Sequence, residues 1–252
     1  MARVALVTGG AKRIGRAIAL TLAAHGWDVA VHFRTSRKEA DAVVAEIKGH
    51  GRRAAAVGAD LCREDEVATL VARTAQALGP LTCLVNNASV FEKDEALTAT
   101  RQSWDRHVEA NMRAPFVLMQ DFARQLPADA QGEIVNVLDE RVWNLTPHFV
   151  SYTVSKAGLW ALTRTMALAL APRIRVNAVG PGPTLPSPRQ TEEQFRRQTD
   201  QLPLRRGTTP DEIAHAVKFI LESPAMTGQM IALDGGQHLA WAPTSREAPA
   251  SE

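Results

Sequence analysis

The chain of 252 residues holds only two cysteines, Cys62 and Cys83, far apart and without metal-type spacing. That excludes a disulfide framework and a zinc knuckle, and it suits a reducing compartment. Long apolar runs are missing, with none approaching the roughly 20 residues that cross a bilayer. No basic segment followed by an apolar stretch and a small-residue cleavage site is seen, so a secretory signal is not expected and the cytoplasm is the expected location. No excess of one charge exists: 29 Lys and Arg face 27 Asp and Glu, a net +2. Such a balance offers no footprint for nucleic acid or an anionic membrane surface. None of the seven histidines makes an HExxH pattern, and no carboxylates are spaced as in a calcium loop, so no metal is expected. Aromatics are scarce at 5%, with one tyrosine, while a 45% hydrophobic content excludes disorder and fills a single core.

What is present is a rhythm. Short apolar runs near 4–7, 28–32, 54–57, 83–85, 133–138, 175–179 and 230–233 read as strands. Amphipathic stretches near 13–25, 37–49, 64–78, 99–126, 151–171 and 210–221 read as helices. Strand–helix alternation with apolar strands predicts a doubly wound, seven-stranded parallel α/β sheet in one domain spanning 1–240. The segment 180–188 is too rich in Gly and Pro for regular structure. It leads to a short helical start capped at Thr191, and 181–207 reads as a lid, or as a plain connection. Residues 241–252 read as a frayed tail beginning with Trp241 and Ala242.

The first strand ends in Thr8-Gly9-Gly10-Ala11-Lys12-Arg13-Ile14-Gly15, which enters the first helix. Glycine allows the tight turn and lets backbone approach a pyrophosphate, which then sits at the helix N-terminus. An ordinary strand–helix connection also fits these residues. At the second strand's tip an acid would hold the ribose hydroxyl of NAD, but Arg34-Thr35-Ser36 stand there instead. A guanidinium fork and two hydroxyls suit the 2′-phosphate of NADP, with Lys12 and Arg13 adding positive charge.

Tyr152 precedes Lys156 by one helical turn, so the two share a face. An ammonium beside a phenol of ordinary pKa about 10 brings it toward a working pH for proton transfer. A buried tyrosine and a surface lysine meeting by chance would give the same spacing.

These motifs, with Asp60-Leu61, Asn86-Asn87-Ala88, Asn111, Pro181-Gly182 and Asp234-Gly235-Gly236, in order from about residue 3 to 240, resemble the short-chain dehydrogenase/reductase family. The resemblance implies a Rossmann-type fold, a nicotinamide cofactor, a small-molecule substrate and a homotetramer, for which the apolar segment 239–241 is a possible interface. It implies Tyr152 as proton donor, Lys156 on the nicotinamide ribose, and Asn111 holding a relay water. Cofactor contacts would come from Gly9, Lys12, Arg13, Ile14, Arg34, Thr35, Ser36, Asp60, Leu61, Asn87, Ala88, Ser89, Tyr152, Lys156, Pro181, Gly182 and Thr184.

Two positions depart from the family pattern. The central glycine of the turn is Arg13, and the serine that most members carry 13 residues before the tyrosine is Asp139. A carboxylate repels a developing alkoxide, which disfavours ketone reduction, whereas a ring with N–H or amino donors is complementary to it. Together with HFRTS and NNASVF, these departures resemble pteridine and dihydromonapterin reductases. That resemblance implies NADPH-dependent reduction of a C=N bond in a pterin or dihydropterin, with a ring nitrogen protonated through Tyr152 with help from Asp139. Arg13 and Ser89 would touch cofactor phosphate and pterin, and Phe91 would stack on the ring. Phe91 and Trp143 also read as core or loop packing, and Glu140 and Arg141 as solvated neighbours. The competing functions are reduction of a ketone, sugar or 3-oxoacyl thioester, and NADPH binding without turnover.

Overall fold

A computed structural model describes residues 2–187 and 189–239. Seven strands, β1 (Val4–Val7), β2 (Asp28–Phe33), β3 (Ala54–Gly58), β4 (Cys83–Asn86), β5 (Gly132–Val137), β6 (Ile174–Pro181) and β7 (Met230–Leu233), form one parallel sheet. Their order is β3-β2-β1-β4-β5-β6-β7, so the chain reverses direction across the sheet between β1 and β4. This is a single Rossmann-type α/β domain, and ligands in such sheets bind beyond the strand C-termini at that reversal.

The strands are largely apolar because both faces are covered. Along β1, Val4 and Leu6 enter one core with Leu70, Phe122 and Leu159, while Ala5 and Val7 enter the other with Ile18, Ile47 and Val217. The first core lies under α3 (Glu64–Leu78), α5 (Ala114–Gln125) and α6 (Val150–Leu170). The second lies under α1 (Arg13–Ala24), α2 (Arg37–Gly49) and α8 (Pro210–Leu221).

Three differences from the sequence expectation bear on the site. The helix expected over 99–126 is α4 (Arg101–Val108), a π-helical turn (Glu109–Arg113) and α5, and Asn111 sits in that widened turn. Such turns often mark functional sites. Gly180 and Pro181, expected to be irregular, belong to β6. Pro181 is tolerated because β5 ends its pairing at Val179, so no partner calls for the missing N–H. A Cβ at Gly180 would lie 2.8 Å from Met230 Sδ, so glycine lets β7 approach. The expected cap at Thr191 starts α7 (Glu192–Asp200), where its Oγ1 accepts from the Gln194 N–H at 3.2 Å.

Among the described residues no helix is long and apolar enough to cross a membrane, and no His, Cys, Asp and Glu group could hold a metal. Pro188 and the tail from 240 onward, with Trp241, lie outside the described residues.

Candidate active site

Two cavities meet at the C-terminal ends of β1, β4, β5 and β6, sharing Arg13, Ile14, Asn87, Ser89, Phe91 and Ser187 as a common rim. The larger, about 600 Å³, is floored by the glycine turn. Thr8 Oγ1 accepts from the N–H groups of Asn87 at 2.9 Å and Ala88 at 3.0 Å, stitching β1 to the β4 turn. Gly9 has φ +63°, and a Cβ there would press on Ala88 Cα at 3.1 Å. Its N–H donates to His32 Nδ1 at 3.0 Å, while His32 Nε2 meets the Ala59 carbonyl at 3.0 Å. The ring is therefore neutral with its proton on Nε2, and burial pushes its pKa down to about 4.

The start of α1 is prepared for an anion. Its N-cap, Lys12, makes no side-chain capping bond, and no acid occupies the first turn. The opening amides thus carry the positive end of the helix dipole uncompensated. Lys12, Arg34, Thr35, Ser36, Asp60, Leu61 and Ala88 line this cavity, with Lys12 paired to Glu39 at 2.7 Å. Arg13 adopts φ +52°, the left-handed region that the family's usual glycine occupies freely. Its guanidinium donates to the carbonyls of Leu185 at 3.2 Å and Pro186 at 3.1 Å, tying the turn to the loop after β6.

The smaller cavity, about 290 Å³, brings together Ser89, Phe91, Asp139, Tyr152, Lys156, Pro181, Gly182 and Thr184. The Tyr152 hydroxyl donates to Asp139 Oδ2 at 2.8 Å. Lys156 Nζ donates to the Val137 carbonyl at 2.8 Å and lies 5.9 Å from the Tyr152 ring centre. Burial brings the lysine down to about 8, against the pull of Asp139. The phenol is not lowered as its spacing from Lys156 suggested. Burial first, and the Asp139 charge second, push it well above the ordinary tyrosine value. The hydroxyl is thus held protonated, with its hydrogen given to the Asp139 carboxylate.

The neighbours of Asp139 are not solvated, contrary to expectation. Arg141 folds back onto Asp139, its backbone N–H donating to Oδ1 at 3.0 Å and its Nη1 reaching Oδ2 at 3.2 Å. Glu140 is 2% exposed, and burial, then the Asp139 charge, raise its pKa to about 8. Trp143 is 45% exposed, packs edge-on against His238 and does not line the cavity. Phe91 has neighbours the sequence did not suggest: Phe149 stacks on it at 4.4 Å and 12°, and the Arg141 and Arg189 guanidinium groups lie 5.6 and 5.9 Å from its ring centre. Phe149 holds φ +59° just before α6, a strained position that marks the edge of the site.

Asn111 is fully buried and belongs to neither cavity wall. Its Oδ1 accepts from the Val90 N–H at 2.8 Å, and its Nδ2 donates to the Val90 carbonyl at 2.9 Å and Ser155 Oγ at 3.1 Å. The side chain braces the 89–91 segment against α6. Sequence reasoning also missed Asp94, which accepts from the Ser151 N–H and hydroxyl and so caps the helix that presents Tyr152. His32 carried one faint signal, a polar residue near the end of a mostly apolar strand. Asp94 and Phe149 carried none.

A family model described as enoyl-(acyl carrier protein) reductase matches residues 9–238. The 3-oxoacyl-(acyl-carrier-protein) reductase of Staphylococcus epidermidis is 34% identical over 244 residues, covering 95% of this chain and all of that one. The chain belongs to the short-chain dehydrogenase/reductase family. Another short-chain reductase, the 3-oxoacyl-(acyl-carrier-protein) reductase of Synechocystis, is 35% identical over 240 residues, 93% of this chain and 96% of that one. Among solved structures of similar fold, FolM alternative dihydrofolate reductase 1 from Brucella suis, in complex with NADP, is 49% identical. It has a TM-score of 0.93, covering 96% of this chain and 97% of that one. A blue fluorescent protein from a metagenomic library, in complex with NADPH, is 33% identical with a TM-score of 0.87, covering 93% and 97%.

Proposed function

We propose that this oxidoreductase uses NADPH to reduce a C=N bond in a pterin or dihydropterin. The reading is carried by Asp139, a carboxylate bonded to the Tyr152 hydroxyl where most family members place a serine. The cofactor reading is supported by the uncapped start of α1, the Arg34-Thr35-Ser36 tip and the NADP-bound relatives of similar fold. The diphosphate would rest on the amides that open α1, the 2′-phosphate at Arg34, and the nicotinamide ribose at Lys156 beside Pro181, Gly182 and Thr184. When bound, NADPH supplies a hydride to the carbon of the C=N bond.

The chain's own residues manage the proton. Tyr152 gives its phenolic hydrogen to the ring nitrogen, so C=N becomes CH–NH, and the proton returns from solvent. Asp139 orients the hydroxyl before transfer, and Lys156 stabilises the phenolate formed. Ser89, Arg13 and Phe91 border the flat substrate, with Phe149 backing the Phe91 ring. Asn111 sets the 89–91 wall rather than meeting substrate through its side chain. The reductase domain is read as residues 1–240 with a lid at 181–207, assembled as a homotetramer in the cytoplasm.

The alternative, 3-oxoacyl thioester reduction, is favoured by the 34% identical relatives of that activity. Asp139 counts against it, because the developing alkoxide would face a carboxylate. The test is NADPH oxidation with a 7,8-dihydropterin, run beside NADH and a generic ketone. Turnover confined to NADPH and the pterin is expected, and turnover of the ketone alone would overturn the assignment.

A further inference from the structure

Consecutive carboxyls, Asp139 and Glu140, stand at the substrate cavity in opposite circumstances. Asp139 has its acceptor sites filled by Tyr152 and by the backbone and guanidinium of Arg141. Glu140 also lines the cavity, is 2% exposed, and its Oε2 has no hydrogen-bond partner among the described residues. Gln237, on the turn that packs against 140–142, lines the same cavity with an equally unpartnered Oε1. Buried polar atoms without partners are uncommon, and beside the donor Arg141 Nε these two acceptors belong to residues that line one ligand cavity, where a donor brought by the ligand would satisfy them.

We propose that Glu140, aided by Gln237, recognises the substrate by accepting hydrogen bonds from an amino group and a neighbouring ring N–H of the heterocycle. The proposal rests on the pterin reading and divides the carboxyls between two tasks. Asp139 stays with Tyr152 and the proton, and Glu140 reads the heterocycle. Burial first raises the Glu140 pKa to about 8, so the free carboxyl lacks the donors that would favour its charged form. Asp139 and Asp234 face it with like charge, and only Arg141 opposes them. Two converging N–H donors would relieve that strain on the charged form, and a carboxylate accepts such a pair without rearrangement.

The test compares binding of two probes to the NADP-loaded enzyme at pH 7 by fluorescence quenching. One is a 2-amino-4-oxopteridine, and the other is its 2,4-dioxo analogue, which lacks the amino donor. The wild type is expected to favour the amino compound about tenfold. In Glu140→Leu the preference falls to near one, and in Glu140→Gln, which keeps a single acceptor oxygen, it falls part of the way. KM for a dihydropterin then rises about tenfold, while kcat stays within about threefold and NADPH affinity and melting temperature do not fall. A preference that survives both substitutions, or a loss of NADPH affinity in step with stability, overturns the proposal and leaves the pterin reading standing. A wild type that neither binds nor reduces either kind of pteridine overturns both.

Discussion

The two ends of the cleft are built from different materials. The proposed cofactor end is main chain: the Gly9 turn, the amides opening α1, and Thr8 clipped to the backbone of Asn87 and Ala88. The proposed substrate end is side chain: Asp139, Glu140, Arg141, Tyr152 and Lys156 crowd a cavity of about 290 Å³. Displaced titrations follow the same division. Burial shifts Tyr152, Lys156 and Glu140 at the substrate end, whereas at the cofactor end His32 shifts while serving as a structural clip. A backbone cradle suits a ligand common to many enzymes, and a crowded set of side chains suits one particular reaction.

If that division holds, damage at each end takes a different form. Tyr152→Phe removes the proton donor alone, so kcat falls by about a thousandfold while NADPH affinity holds, measured by turnover and by titration. Equal losses in both would mean that the two ends are not separate. His32 gives the next largest effect, on stability rather than rate. Its folded pKa of about 4 lies below the ordinary 6.5, so the unfolded chain binds more protons between those values. Its contribution is complete above pH 6.5, is lost as pH falls toward 4, and amounts to about 3 kcal/mol. Urea unfolding across that range shows this as a steep acid limb that flattens in His32→Gln.

Arg34→Ala is expected to weaken NADPH about thirtyfold and leave NADH unchanged, as loss of a charge-assisted phosphate contact requires. Equal weakening of both cofactors would place the 2′-phosphate elsewhere. Smallest is Arg13→Gly. It relieves the +52° backbone, raising stability by about 1 kcal/mol in thermal unfolding, and releases the loop carbonyls of Leu185 and Pro186.

The same division explains what could be read in the chain before its structure. Strand–helix alternation and the glycine turn are local patterns, so the sheet, its strand count and the turn that opens α1 were visible in them. Tyr152 and Lys156 were visible too, because one helical turn fixes their relation. The surroundings of those groups were not. Whether Glu140 is solvated or buried depends on the 237–239 turn, nearly a hundred residues away in the chain. The upward pull on the Tyr152 phenol depends on a carboxylate 13 positions earlier and on burial, which spacing does not report. Phe149 and Asp94 act through tertiary contacts that have no periodic signature.

The central claim is that Asp139 turns a carbonyl-reducing scaffold toward a C=N bond. Its most direct test is the ratio of kcat/KM for a 7,8-dihydropterin to that for a 3-oxoacyl thioester, measured with NADPH in the wild type and in Asp139→Ser. The account predicts a ratio well above one in the wild type, falling by about a hundredfold or more in the variant as the pterin reaction fails and the thioester reaction improves. A wild type that prefers the thioester, or a ratio the substitution leaves unmoved, would contradict it.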